Sequence, residues 1–357
     1  MIRWGALKGR LSLLTALAAS AAFLIAPLDL HTPPTPLQTV ASVWPNAKHA
    51  TLNQTLADGT DYEPLLYLSS TESIGSARTK DGKALRLVRL AADGKAREIR
   101  RIPTEKDPSF PAATLAGTLL VWVESTTRGH QEIWAADVRG GAARRLTADT
   151  GDARFYQSQY DLVTEAGRVY WVAAGPGDTT QVRSVALGGG STDVRVEPGT
   201  WSLAGWPWLS NGVVSSTGTT TMRNVTTGQD VAVPTTSRGV TACSPTWCQI
   251  VSITKAGDSR IQLVRPDGAD PHTVATGTPE TVISDVAVLD KFEVFANLTP
   301  TSELTGNVQL LMYEIKTRRT VEISPDCFAV SYRAGILSWS TGTQQSFLRH
   351  ALDLRTL

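Results

Sequence analysis

Three cysteines and five histidines are the side chains of this 357-residue chain that most readily do chemistry. Cys243 and Cys248 bracket the tetrapeptide Ser-Pro-Thr-Trp. In an oxidising compartment, a pair this close is expected to form a disulfide that pins a tight loop. A metal or redox site would need further ligands or a Cys-x-x-Cys helix start, and the sequence offers neither. Cys327 is then left over, and we expect it to be a buried free thiol.

The remaining motifs of catalysis are either absent or explained by turn chemistry. The histidines are scattered and never reach metal-ligand spacing: His31, His49, His130, His272 and His350. No G-x-S-x-G turn is present, and the S-x-x-K match at 252–255 lies within a predicted strand. The Asp-rich stretches at 58–61 and 149–152 fit ordinary turns better than calcium loops. We therefore predict no metal, no cofactor and no catalytic residue from a local motif.

The elements that must position any site are short strands that recur about every 45 residues. Seven similar runs of β-forming residues occur between residues 65 and 342, each followed by a second strand, a turn and usually a more polar third strand. Five runs carry an aromatic residue at the same position, and 272 residues over six intervals separate the first from the last: Tyr67, Trp122, Trp171, Phe295 and Trp339. This period predicts an all-β fold, a β-propeller of seven blades, with six blades as the alternative.

The seventh repeat is incomplete, because the chain ends shortly after the strand-like run at 347–354. An unpaired edge strand would be exposed there. We predict that a stretch within residues 37–56 supplies the missing strand and closes the ring. The alternative is that residues 37–56 are a linker and the last blade has three strands.

The first 36 residues have the pattern of a membrane-directed segment. Three basic residues lie within residues 1–10, and residues 11–28 carry no charge. As a helix, that run spans roughly 27 Å against a hydrocarbon core of about 30 Å, so it is either a transmembrane anchor, our preferred interpretation, or a cleavable signal peptide. The basic residues place 1–10 in the cytoplasm. Residues 29–36 are then a Pro-rich linker, and residues 37–357 form an extracytoplasmic propeller, secreted if the signal is cleaved.

Composition limits the partners of the propeller. The chain is 41% hydrophobic, enough for a full core, and holds 34 Lys and Arg against 33 Asp and Glu. Because it has no basic block, it lacks the electrostatic footprint that nucleic-acid binding requires. We predict a monomeric propeller that contacts the cell membrane through residues 11–28 and binds no nucleic acid.

The unit EIWAADVRGGAARRLTAD at 132–149, which follows TLLVWVES at 118–125, resembles the repeat of TolB-like propellers. A weaker copy lies at 260–277. The resemblance covers most of residues 60–357, and it implies a propeller fold but no particular activity, because its motifs are packing and turn motifs. Arg outnumbers Lys, and Ala, Thr and Gly are frequent, which suggests a GC-rich genome. We therefore expect a secreted or membrane-bound protein of an actinobacterium.

Loops on a rigid scaffold often carry function, and six residues in or near predicted connections are our candidate ligand contacts. Four lie in connections between strands, and the last two lie in a leading strand where they can line the channel: Arg128, Asp152, Arg154, Trp201, Trp206 and Trp208. Each has a structural alternative, because a tryptophan in a propeller is often wedged between blades and a loop arginine is often only solvated.

The absence of a catalytic motif predicts a non-catalytic module. We expect a membrane-tethered extracytoplasmic propeller that binds an envelope protein, peptide or glycan at the channel mouth. The alternative is a propeller-type hydrolase or lyase whose active site is assembled from several blades at the channel mouth and therefore leaves no linear motif. Paired carboxylates in the channel with raised pKa values would favour this enzyme.

Overall fold

Runs of β-branched and aromatic residues, separated by turns rich in Gly and Asp, fold into successive antiparallel sheets. A computed structural model describes residues 37–156, 158–212, 216–343 and 345–357, apart from the side chain of Arg128. The unit formed by residues 38–357 is all-β, as predicted. Its described helices are short: α-helices Val40–Val43 and Ser302–Thr305, and 3-10 turns Thr104–Lys106, Thr127–Gly129 and Leu354–Thr356.

The predicted anchor at 11–28, the n-region and the linker lie outside the described residues. Among the residues that are described, no helix has the length and apolar character needed to cross a membrane.

The strands are numbered in chain order, and the first half of the chain forms three sheets after two short N-terminal strands. The N-terminal strands are β1 (Gln38–Thr39) and β2 (His49–Leu52). The first sheet comprises β3 (Tyr62–Tyr67), β4 (Ser73–Arg78), β5 (Ala84–Leu90) and β6 (Ala96–Pro103). The second comprises β7 (Ala113–Ala116), β8 (Leu119–Thr126), β9 (His130–Asp137) and β10 (Arg144–Thr147). The third comprises β11 (Asp152–Ala153), β12 (Val163–Glu165), β13 (Arg168–Ala174), β14 (Thr179–Ala186) and β15 (Asp193–Pro198).

The second half of the chain forms two four-stranded sheets and one sheet of eight strands. The fourth sheet comprises β16 (Ser202–Leu203), β17 (Trp208–Ser210), β18 (Thr221–Asn224) and β19 (Asp230–Ala232). The fifth comprises β20 (Gly239–Cys243), β21 (Cys248–Ile253), β22 (Ser259–Val264) and β23 (His272–Gly277). The last contains β24 (Pro279–Thr281), β25 (Phe292–Asn297), β26 (Val308–Glu314), β27 (Arg319–Arg333), β28 (Ile336–Thr343) and β29 (Ser346–Asp353), together with β1 and β2.

One long strand explains why the last sheet has eight strands. β27 pairs with β26 up to Cys327 and with β28 from Phe328 onward, so one strand serves two four-stranded groups. The register shifts between Phe328 and Ser331, which marks a β-bulge. The strand therefore bends between its two halves.

The N-terminal stretch completes the last group of strands. β2 pairs antiparallel with β29, with His49 opposite Leu352 and Leu52 opposite Arg349. β1 runs parallel to the first half of β27. The stretch within residues 37–56 thus supplies the pairing that the sequence predicts for it.

The core lies between neighbouring sheets, where the recurring aromatic residues are buried. Trp122 and Trp171 are fully buried, and the remaining three are at most 7% exposed: Tyr67, Phe295 and Trp339. Trp122 packs against Leu66 of the first sheet, and Trp171 packs with Val123 of the second. Burying one large apolar side chain stabilises the fold by about 2 kcal/mol, so the repeat of aromatic residues joins the sheets.

Candidate functional site

The predicted disulfide lies at one end of the fifth sheet. Cys243 and Cys248 face each other across β20 and β21, and their sulfur atoms are bonded. Cys327 is a buried free thiol, and burial raises its pKa to about 12. Neither feature supplies a nucleophile or a metal ligand to a cavity described below.

The residues proposed as ligand contacts in the third and fourth sheets lie in separate environments. Asp152 and Arg154 form an exposed ion pair with each other. Trp201 is buried, and its indole Nε1 donates a hydrogen bond to the carbonyl oxygen of Pro198 at 2.6 Å. The side chain of Arg128 lies outside the described part of the chain.

The last two candidates lie on apolar clusters between sheets. Trp206 stacks on Tyr170 with ring centroids 3.7 Å apart, and it lines a surface cavity of about 350 Å³. Trp208 packs against the cluster that includes Met222 and Cys248. Neither tryptophan is among the residues that line the central cavity defined next, and the ligand role of all six candidates stays a prediction.

A cavity of about 500 Å³, here called the central cavity, lies where the leading strands of several sheets converge. Its wall comes from β3, from segments next to β7, β11 and β24, and from the second half of β27. Seven of the lining residues are apolar or aromatic: Leu65, Phe110, Tyr156, Val282, Ile283, Val330 and Tyr332. Two are charged, Asp285 and Arg333, and polar atoms contribute more of the exposed wall than apolar atoms do. Convergent polar groups among apolar side chains are a feature of ligand sites.

Asp285 is the side chain of this cavity best suited to proton transfer. It is 5% exposed, and its Oδ1 is buried without a hydrogen-bond partner in the described part of the structure. Burial raises the pKa of Asp285 to about 6, and the charge of Asp161 adds to this. A hydrogen bond from Gln159 and the charge of Arg333 act in the opposite direction. The carboxyl group therefore exchanges a proton close to neutral pH.

Arg333 gives the cavity a fixed positive charge. Its Nη1 donates a hydrogen bond to the carbonyl oxygen of Ser158 at 3.2 Å. Burial lowers the pKa of Arg333, and the charges of Asp161 and Asp285 offset part of this effect. A guanidinium group stays protonated under such conditions and presents a fork of donors that matches a carboxylate.

A second carboxyl group, that of Glu293, lies fully buried behind the cavity wall. Its Oε2 accepts a hydrogen bond from the backbone N–H of Ala287 at 2.8 Å, and its Oε1 accepts one from Gln249 Nε2. Burial raises the pKa of Glu293 to about 8, and the charge of Asp285 raises it further. Glu293 is therefore neutral below that pH. Its two hydrogen bonds connect the segment after Asp285, through Ala287, to the fifth sheet, through Gln249.

The segment between the two carboxyl residues is strained. Ala287, Leu289 and Asp290 have φ values of 50°, 58° and 55°, in the left-handed region that side chains other than glycine rarely adopt. Such strain costs energy and concentrates at functional sites. The hydrogen bond from Ala287 to Glu293 is one of the contacts that hold this conformation.

Sequence reasoning missed Asp285, Arg333 and Glu293. Asp285 and Arg333 are single charges within largely apolar runs, Glu293 follows Asp290 and Lys291, and no motif links positions so far apart. Their residue type could have identified two of them. Asp285 in ISDVAV and Arg333 in VSYRAG are charged residues within runs that otherwise alternate or stay apolar. Among the described residues, no group of three or more His, Cys, Asp or Glu side chains could hold a metal ion.

No known protein family and no curated protein matches the chain. Solved structures of propeller proteins do match it. An oligogalacturonate lyase in complex with manganese is 8% identical over 86% of this chain and 96% of that chain, with a TM-score of 0.52. A puromycin-hydrolyzing peptidase of Mycobacterium tuberculosis is 13% identical over 88% of this chain and 53% of that chain, with a TM-score of 0.52. A putative TolB from Agrobacterium tumefaciens is 13% identical over 60% of this chain and 80% of that chain, with a TM-score of 0.35.

The two structural matches with a TM-score of 0.52 show the fold, a β-propeller, and they correct one prediction. A non-catalytic scaffold was expected because no linear motif was found, but the solved proteins of this fold reported above include a lyase and a peptidase. An active site assembled from several sheets leaves no linear motif, so its absence was poor evidence against an enzyme. The prediction of a non-catalytic scaffold is therefore withdrawn.

Proposed function

We propose that the chain is a propeller-type lyase or hydrolase that works in the central cavity with Asp285 as its acid–base group. The observation that carries this proposal is a buried carboxyl group with a pKa of about 6 beside an arginine in a cavity of about 500 Å³. A general base is most effective when its pKa lies near the working pH. Burial of both groups strengthens their electrostatic effect on a bound substrate.

Lyase chemistry on an acidic sugar fits the two charged groups better than peptide hydrolysis. The match to the oligogalacturonate lyase covers nearly all of that protein, whereas the match to the peptidase covers about half. In such an elimination, Arg333 binds and neutralises the substrate carboxylate, which makes the neighbouring C–H more acidic. Asp285 takes that proton, a C=C bond forms, the C–O bond to the leaving group breaks, and water protonates the leaving oxygen.

The described residues offer no cluster of ligands for a manganese ion like the one named for the lyase. No step of the proposed reaction therefore passes through a metal. Proton abstraction rests on Asp285 and charge neutralisation on Arg333.

The test is the turnover of oligogalacturonides by the full chain, followed through the absorbance of the unsaturated product. Asp285→Asn should lower kcat at least 100-fold, because it removes the base while keeping the shape of the side chain. Asp93→Asn is the matched control and should retain full activity. Asp93 lies at an exposed turn far from Asp285 in the sequence, where it pairs with Lys95. Equal activity of the Asp285→Asn and wild-type chains would overturn the assignment.

We also propose that the sheets form seven blades, with β27 shared by the last two and β2 closing the ring. The division of pairing along β27 and the β2–β29 ladder support this count. Residues 11–28 would hold the propeller on the extracytoplasmic side of the membrane. Separation of membranes from soluble proteins tests this location, since deletion of residues 1–36 should release the propeller from the membrane fraction.

A further inference from the structure

Three cavities join one another along the seam between the first sheet and the last. An outer cavity of about 810 Å³ and a middle cavity of about 230 Å³ share the lining residues Glu63, Phe347 and Arg349. The middle cavity and the central cavity share Leu65 and Arg333, among others. The outer cavity and the cavity of Asp285 are thus the two ends of a row of adjoining cavities with common walls, here called the seam groove.

Backbone irregularities shape both walls of this groove. β3 shifts register between Pro64 and Leu66, and β27 does so between Phe328 and Ser331. Bulges re-aim side chains and are frequent beside active sites. Here they lie where the middle cavity meets the central cavity.

An arginine lies at each junction of the seam groove. Arg333 is common to the middle and central cavities, and Arg349 is common to the outer and middle ones. Aromatic rings lie between them, with Phe328 and Phe347 in edge-to-face contact at 5.8 Å. Arginine forks suit carboxylates, and ring faces suit the apolar faces of sugars.

Arg349 already holds a carboxylate from the opposite wall of the seam. Its Nη2 donates to Glu63 Oε2, and its Nη1 donates to the carbonyl oxygen of Tyr62. The arginine side chain is 11% exposed, whereas that of Glu63 is 74% exposed. An exposed carboxylate gains little from an ion pair, so a ligand carboxylate can take the place of Glu63 while Arg349 stays fixed by Tyr62.

We propose that the seam groove binds an extended acidic oligosaccharide, with Arg349 as the specificity residue for a carboxylate several units away from the one at Arg333. This inference rests on the proposed function, because it assigns the rest of the substrate of the same site. The outer cavity is lined by the exposed Arg78 and Lys80 in addition to Arg349, against the two acidic residues Asp61 and Glu63.

The experiment measures the binding of oligogalacturonides of two to eight units by calorimetry. The full chain is used in detergent, and it carries the Asp285→Asn substitution to prevent turnover. Affinity should rise with length until the groove is filled. Arg349→Gln should weaken the binding of long chains roughly tenfold and leave the shortest unaffected. Glu63→Gln should strengthen the binding of long chains several-fold, because it removes the competing carboxylate.

Two matched variants control for general charge and folding. Arg139 and Asp137 form an exposed ion pair at another turn, and Arg139→Gln and Asp137→Asn should change no affinity. If Arg349→Gln unfolds the chain, Glu63→Gln still decides the question. Weaker binding by Glu63→Gln, affinity independent of length, or equal binding of a poly-glutamate peptide would overturn the proposal.

The two proposals fail separately. Length-dependent binding that Glu63→Gln strengthens, together with no cleavage by the wild-type chain, would keep the groove and overturn the enzyme. Cleavage that does not depend on chain length would keep the enzyme and overturn the groove.

Discussion

At the scale of residues, two carboxyl groups at the central cavity have pKa values raised by burial, and the charge of Asp285 raises the pKa of Glu293 further. Asp285 faces the cavity, and Glu293 lies behind it with both oxygens in hydrogen bonds. Two charges of the same sign in a low-dielectric interior repel strongly, so the pair favours states with at least one proton. Glu293 therefore holds a proton at neutral pH.

Replacing Glu293 by glutamine should change how stability depends on pH. The native state binds the proton of Glu293 more tightly than the unfolded state does, so its contribution is fully present below the unfolded value of 4.5 and is lost as the pH rises through about 8. The wild-type free energy of unfolding should thus fall over this range by a few kcal/mol relative to Glu293→Gln. Chemical denaturation at pH 5 and pH 9 measures this difference, and parallel pH profiles would contradict it.

The charge of Arg333 should be visible in the titration of Asp285. The guanidinium lowers the pKa of Asp285, although burial dominates and keeps it near 6. Arg333→Gln should therefore raise the pKa of Asp285 above that of the wild type, by roughly one unit. Carbon-13 NMR of labelled aspartates reports the change, with Asp93 as an internal reference that should not move.

The cysteine pair could be predicted from the sequence, whereas the cavity residues could not. Cys243 and Cys248 are five positions apart, so their pairing is a local property. Asp285 and Arg333 acquire their chemistry from burial and from each other, which depends on how distant strands pack. Trp201 shows the same dependence on packing, because it was chosen for its predicted loop position and the structure buries it between sheets.

At the scale of elements, the periodic strands were predictable and the shared strand was not. The aromatic repeat located strands of the first, second, third and last sheets, since alternation and turn residues are local signals. β27 reads as two separate runs, RTVEIS and CFAVSYR, because a bulge and the residues Pro325 and Asp326 interrupt its pattern. Only its pairing on both sides makes it one strand.

Loss of the disulfide should destabilise the chain modestly. A bond that closes a loop of six residues restrains the unfolded chain by roughly 2 kcal/mol. Replacing both Cys243 and Cys248 by serine should lower the free energy of unfolding by about that amount. Urea unfolding checks this, with Cys327→Ser as the comparison; a double variant as stable as the wild type would contradict it.

Removal of the N-terminal strands should expose the edge of β29. A chain that lacks residues 37–56 loses the ladder between β2 and β29 and the contact of β1 with β27. Exposed edge strands pair with other chains, so the truncated protein should aggregate. Light scattering measures this, and a synthetic peptide of residues 37–56 added in excess should suppress it; a truncated chain that stays monomeric would contradict the prediction.

At the scale of the whole molecule, the sheets build one cavity from side chains far apart in the sequence. The central cavity draws on residues from position 64 to position 333, so no fragment of the chain contains the complete site. A rigid scaffold holds such residues more precisely than a flexible loop. This explains why the fold could be predicted from a local repeat while the function could not.

The ladder between β2 and β29 also determines the order in which parts of the fold can form during synthesis. Thr51 and His350 touch across 299 positions of sequence, so β2 can pair only after β29 has been synthesised. Contacts of such high contact order form slowly, because a long loop has to close before they stabilise anything. The earlier sheets can assemble during synthesis, but the seam groove forms only after Phe347 and Arg349 of β29 have been made.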